Sequence, residues 1–176
     1  MYAELARRIR LERIGPQEIA AVLRAKAPTD EQFEREFATR SVTPTAGSTR
    51  YLLRVLESGL APFEVSGETR VPDKCHVEHI LPQEPSTEWL AMLEADGQVH
   101  REWVNRLGNL TFLERRLNLM NGNRAFVGVK RDNFARSIYR MANVLAGEDY
   151  PTWTTGAIAR RQAELASKAV GLWRIV

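Results

Sequence analysis

Two short stretches of this chain have the composition of β-strands, CHVEHIL at 75–81 and NLTFL at 109–113, and both lie in a sequence otherwise patterned for helices. Two short strands bracketing helices predict an α+β fold that is mainly helical. The first stretch is the stranger of the two. It is apolar enough for a buried strand, yet it carries two of the chain's three histidines, His76 and His79, with Glu78 between them.

The flanking sequence supplies the helices. Four are expected over residues 2–61: YAELARRIRLERI, PQEIAAVLRAKA opened by Pro16, TDEQFEREFA capped at Thr29 or Asp30, and TRYLLRVLESGLA. Gly15, Pro28 and the linker SVTPTAGS at 41–48 punctuate them, and Leu5, Ile9, Ile19, Phe33, Phe37, Leu53 and Leu56 recur at core spacing. An extended segment, PFEVSGETRVPDK, leads into the first strand, and helices STEWLAMLEA and VHREWV separate it from the second. Beyond lie ERRLNLM, one continuous helix KRDNFARSIYRMANVLAG ending at Gly147, and a last helix from about Thr154 to Trp173. The expected organisation is a helical subdomain at 1–61 and a second domain at 62–176, whose core spans about 74–125.

Several function classes are excluded or disfavoured. No apolar run approaches the roughly 20 residues of a membrane helix, and the amino terminus is charged and amphipathic rather than signal-like, so a cytoplasmic protein is expected. The single cysteine, Cys75, forms no internal disulfide, rules out paired-cysteine zinc sites, and reads as a small buried hydrophobe. Neither a GxxxxGK[ST] loop nor a strand-linked GxGxxG is present, so nothing points to an NTPase or a dinucleotide enzyme. Residues 101–140 carry nine cations against three anions, which leaves the rest of a +3 chain net acidic. Such a segment is either the footprint of a polyanion or a solvated helix face.

The spacing of the polar residues is informative. Glu78 and His79 stand at the end of the first strand, Asn109 precedes the second, and Asn118 follows nine residues later, room enough to finish a short strand, turn, and enter a helix. Strand, loop, strand and helix with those residues make a ββα-metal arrangement. VEHILPQ at 77–83, NRLGNLTFLERRLN at 105–118, NRAF followed by Lys130, and the terminal IARRQAELASKAVGLW carry a resemblance to the HNH nucleases. Among these the sequence most resembles the C-terminal nuclease domain of GmrSD-type modification-dependent restriction enzymes, over roughly Val71 to Trp173. The helical amino-terminal block resembles in general character the segment preceding this domain in SspE-like phage-defence proteins.

The resemblance implies a bacterial DNA endonuclease, nicking or cutting both strands of invading DNA. His79 would be the general base, and Glu78 and Asn118 would offer oxygen ligands to Mg²⁺ or a similar cation such as Mn²⁺. Asn109 would bond backbone across the loop and hold His79. Lys130, Arg115, Arg116, Arg124 and Arg131, with Asn123, would contact DNA phosphates. Glu78 departs from the commoner Asp of the family pattern. The larger protein would include an NTPase domain that senses a modification such as phosphorothioate or glucosylated cytosine. A catalytically silent DNA-binding module and an HNH ribonuclease toxin are the rival readings. His76 and His100 are expected to be structural, Asn121 and Asn123 compete with Asn118 for the metal or cap the turn at Gly122, and the tryptophans belong to packing.

Overall fold

Cys75–His79 (β1) pairs antiparallel with Leu110–Glu114 (β2), in a register running from Cys75 opposite Glu114 to His79 opposite Leu110. The computed structural model describes residues 2–60 and 75–173, and among these the two strands form a sheet of their own. A two-stranded sheet is marginal by itself, so helices must cover it. The first to do so follows without a loop: Arg115–Asn121 (α7) starts where β2 ends and packs on both strands. Strand, strand and covering helix thus come from consecutive sequence, apart from the insertion holding Thr87–Ala95 (α5) and His100–Trp103 (α6).

The amino-terminal block supplies Tyr2–Glu12 (α1), Pro16–Arg24 (α2), Asp30–Phe37 (α3) and Gly47–Leu60 (α4). A capping box starts α3: the Thr29 hydroxyl accepts from the Gln32 N–H while the Gln32 side chain accepts from the Thr29 N–H. The helix α4 begins inside the stretch read as a linker, whose first half is also ordered: Ser41 bridges to Arg106, and the Val42 N–H donates to the Asn105 carbonyl. The 61/62 domain boundary and the extended reading of PFEVSGETRVPDK lie outside the described residues.

Thr155–Leu172 (α10) ties these parts together. Most of its buried positions, Ile158, Arg161, Gln162, Leu165, Ala166 and Ala169, fall on one helical face. That face receives α3, α4 and the single turn Leu107–Asn109 that leads into β2. Contact with the turn is so close that a Cβ on Gly108 would lie 2.4 Å from the Ile158 carbonyl oxygen, so only glycine fits. Gln162 donates to the carbonyls of Phe37 and Arg40 and accepts from the Gly108 N–H at 3.1 Å. Arg161, wholly buried, donates to the carbonyls of Gly108, Leu110 and Met141. A single hydrophobic cluster accordingly runs from Phe37, Leu53 and Leu56 through Ile80, Leu110 and Phe112 to Ile158 and Ala166.

The continuous helix expected over 130–147 is instead three pieces: Arg131–Ala135 (α8), Arg140–Asn143 (α9) and a single tighter turn at Val144–Ala146. Side chains from elsewhere capture the backbone at the break. Glu114 accepts from the Ser137 hydroxyl at 2.9 Å and the Ile138 N–H at 2.8 Å, while buried Glu57 accepts from the N–H groups of Arg140 and Met141. Tertiary partners here satisfy the same groups a helix would have used. Among the described residues no helix is long and apolar enough to cross a membrane.

Candidate active site

Glu78 and His79 are neighbours on a strand, where alternation would send their side chains to opposite faces. Both nevertheless line one cleft of about 540 Å³, together with Val77, Pro82, Gln83, Glu84, Asn118, Gly122 and Asn123. The alternation fails because β1 ends at His79 and the chain turns into Ile80-Leu81-Pro82. The cleft therefore has the strand end on one side and the α7 helix and its C-terminal Gly122 turn on the other.

Asn109, fully buried, fixes that turn. Its Oδ1 accepts from the Leu81 N–H at 2.7 Å and from the Trp153 indole at 3.1 Å, and its Nδ2 donates to the carbonyls of Leu81 and Val104, both at 2.9 Å. Its own carbonyl accepts from the Ile80 N–H. His100 contributes from α6, its Nε2 donating to the Pro82 carbonyl at 2.8 Å.

His79 Nε2 lies 3.4 Å from Asn105 Oδ1. An amide oxygen only accepts, so this contact selects the tautomer with the proton on Nε2 and leaves Nδ1 as the basic nitrogen. Burial pushes the imidazole pKa below its ordinary value, the contact with Asn105 pulls it back, and the charges of Lys130 and His100 lower it further. The ring is therefore neutral near pH 7.

Glu78 is held from behind. Its Oε1 accepts from Lys130 Nζ at 3.0 Å and from Asn121 Nδ2 at 3.0 Å, and Asn121 Oδ1 accepts in turn from Asn133 Nδ2 at 2.9 Å. Burial raises the Glu78 carboxyl pKa and lowers that of Lys130, and the attraction between the two opposes both shifts.

A comparison with protein-family models matches the C-terminal domain of GmrSD restriction endonucleases over residues 27–168. The chain belongs to that family. No curated protein matches it. The GmrSD C-terminal match takes in the strand pair, the cleft and most of α10, and leaves α1 and α2 outside.

Within this GmrSD domain the three asparagines differ in position. Asn118 and Asn123 line the cleft, whereas Asn121 is fully buried with both ends of its amide engaged, which removes it from competition for a cation. His76 is exposed rather than packed and stays out of the cleft, and Cys75 is buried. One of the expected phosphate contacts is corrected. Lys130 is wholly inaccessible to solvent, because its ammonium sits against Glu78 and the carbonyls of His79 and Ile80. Arg131 is half-buried and donates to the carbonyls of Ala146 and Gly147. Arg115, Arg116 and Arg124 remain exposed, Arg124 also donating to the Met120 carbonyl.

The donor set bears on the choice of metal. Among the described residues no three His, Cys, Asp or Glu side chains cluster to hold an ion, which does not suit a structural zinc site. The oxygen donors lining the polar cleft, the carboxylates of Glu78 and Glu84 and the amides of Gln83, Asn118 and Asn123, do suit a hard cation that keeps most of its waters. Sequence reasoning missed Asn105, Trp153, Gln83 and Glu84. Asn105 and Gln83 stand inside the two motifs already singled out, but Trp153 reaches Asn109 from 44 residues away and left no local signal.

Proposed function

We propose that this domain is an HNH-type, metal-dependent DNA endonuclease, the effector of a larger restriction protein acting against foreign DNA. The observation that carries the reading is the convergence of His79, Glu78 and Asn118 on one cleft at the junction of the strand pair and α7. Membership of a restriction endonuclease family supports it independently.

Phosphodiester hydrolysis needs a water deprotonated on one side of phosphorus and charge stabilised on the departing oxygen at the other. His79 Nδ1 takes the proton from water, with Asn105 holding the ring by its other nitrogen. Asn109 keeps the 80–82 turn in place, so that the imidazole meets the phosphate in a fixed orientation. Glu78 and Asn118 would hold the cation. When bound, Mg²⁺ or Mn²⁺ supplies the positive charge that stabilises the leaving oxygen. Exposed Arg115, Arg116 and Arg124, with Asn123 at the cleft wall, position the backbone on either side without reading sequence. The family's description as a C-terminal domain fits a partner domain in the same polypeptide, an NTPase that senses a DNA modification such as phosphorothioate.

The test is incubation of the pure domain with supercoiled plasmid and with structured RNA, in Mg²⁺ and then in chelator. Chelator-sensitive conversion of plasmid to nicked or linear form is expected. Binding without cleavage would make this a silent DNA-binding module, and cleavage of RNA alone would make it a ribonuclease.

A further inference from the structure

The segment 101–140 reads in sequence as a cationic surface, yet one of its charges is buried at the heart of the cleft wall. Lys130 Nζ makes three contacts at hydrogen-bonding distance: Glu78 Oε1 at 3.0 Å, the His79 carbonyl at 3.0 Å and the Ile80 carbonyl at 2.9 Å. An ammonium has three protons, so its donor capacity is filled. Lysine is among the residues least often buried, and stripping its ammonium of water is costly unless such partners replace the solvent.

The two carbonyls are the informative pair. In a straight strand successive C=O groups point in opposite directions and cannot meet one donor. Their meeting at Nζ marks the residue at which β1 stops being a strand, and it is this departure that lets both Glu78 and His79 face the cleft. The same atom holds the Glu78 carboxylate, which also accepts from the side chain of Asn121, itself held by Asn133. Lys130 thus reaches the positions of the expected base and of the expected cation ligand, and it touches neither cleft nor solvent.

We propose that Lys130 is a positioning residue of the nuclease centre, a buried clamp that turns the end of β1 and fixes Glu78 and His79 toward one phosphate. It is not a DNA contact. Its purpose rests on the nuclease reading above, but the clamp itself is a statement about geometry and can be tested apart from cleavage.

The variant Lys130→Met keeps the length of the stem and removes the donor. It should bind plasmid DNA with unchanged affinity and an unchanged slope of log affinity against log salt, while cleavage at saturating Mg²⁺ and DNA falls by about 100-fold, the loss expected of a misplaced catalytic group. In two-bond ¹H–¹⁵N spectra of the imidazoles, the His79 resonances should move and those of exposed His76 should not. A salt slope lowered by about one unit would restore the phosphate contact and overturn the clamp. So would His79 resonances that superimpose on the wild type.

Because Lys130→Met strands a buried carboxylate, the change is also made in a background where that charge is gone. In Glu78→Gln protein the further change Lys130→Met should still displace the His79 resonances, through the lost carbonyl contacts, and superimposable spectra there would refute the clamp even if the single variant fails to fold. Wild-type protein that cleaves no DNA, alongside His79 resonances that do move in the variant, would sink the nuclease proposal and uphold the clamp's geometry.

Discussion

Removing the Asn109 side chain should damage the fold and the activity together, and the structure sets the size of the effect. Asn109→Ala deletes four hydrogen bonds, to the Leu81 N–H, the Leu81 and Val104 carbonyls and the Trp153 indole. All three partner residues are buried, Leu81 completely, so water replaces little of what is lost. At about 1 kcal/mol net for each bond the change costs about 4 kcal/mol, a large part of the roughly 5–15 kcal/mol that holds a typical domain folded. For a chain of this size that corresponds to a drop in Tm of about 8–16 °C. Urea unfolding followed by tryptophan fluorescence measures the free energy, and Trp153 reports the site directly. At a temperature where the variant is still folded, cleavage should also fall by about 100-fold, since the 80–82 turn no longer orients His79. A loss of less than about 1 kcal/mol would refute the reasoning, because the four bonds would then be replaceable. An inactive variant of wild-type stability would refute it differently, by making Asn109 a participant in the chemistry rather than a brace.

His79→Ala should keep the fold and DNA binding while cleavage falls by about 10²–10⁴-fold, and His76→Ala should cleave normally; plasmid nicking by clean His79→Ala protein would remove the base assignment. Burial lowers the His79 pKa, so its neutral form persists as pH falls through the ordinary imidazole value, and the acid limb of the kcat/KM profile should lie below pH 6.5. Asn105→Ala deletes a contact that raises that pKa and should move the limb lower still; a limb above pH 6.5 in the wild type contradicts the burial argument. Asn118→Ala should raise the Mg²⁺ concentration needed for half-maximal activity, with rescue at high Mg²⁺, whereas the same behaviour in Asn123→Ala alone would move the ligand to the Gly122 turn. Arg115→Ala with Arg116→Ala should flatten the salt dependence of DNA binding by up to about two units, and Arg7→Ala with Arg8→Ala should not; the reverse result places the DNA track on the amino-terminal helices.

What could be read from sequence was the part whose partners are near in sequence or set by periodicity. The strand candidates, the nine-residue step from Asn109 to Asn118, and the helices of the amino-terminal block all follow from local pattern, and Thr29 announces its capping box through Gln32 three residues on. Where distant side chains take over backbone groups, local pattern misleads. The break after Arg136 depends on Glu57, which is more than eighty residues away from Arg140 and Met141. Lys130 misled for a related reason. A lysine in a run of cations looks like a phosphate contact, and only the folded chain reveals that a carboxylate and two carbonyls converge on it. The asparagines were ambiguous because Asn118 and Asn121, one turn apart on α7, both point toward β1 at different depths, a distinction periodicity does not carry.

The buried polar groups around the cleft make better sense as a set than one by one. Between the His79 carbonyl and the Leu81 carbonyl lie five consecutive backbone groups, and residues 109 and 130 satisfy all of them. Lys130 takes the carbonyls of His79 and Ile80, the Asn109 carbonyl takes the Ile80 N–H, and the Asn109 amide takes both polar groups of Leu81. A buried segment outside regular structure must find partners for every such group, and here two residues from opposite sides provide them. An apolar replacement of the Lys130–Glu78 pair could match its stability, as it does for many buried ion pairs, but it would leave two carbonyls without a donor. That requirement, more than the ion pair itself, gives a physical reason for a lysine at a position with no access to solvent. It also explains why the strand end that carries Glu78 and His79 departs from strand geometry within one residue while the core on either side, Leu110 and Phe112 below and Ile80 and Leu81 beyond, stays fully packed.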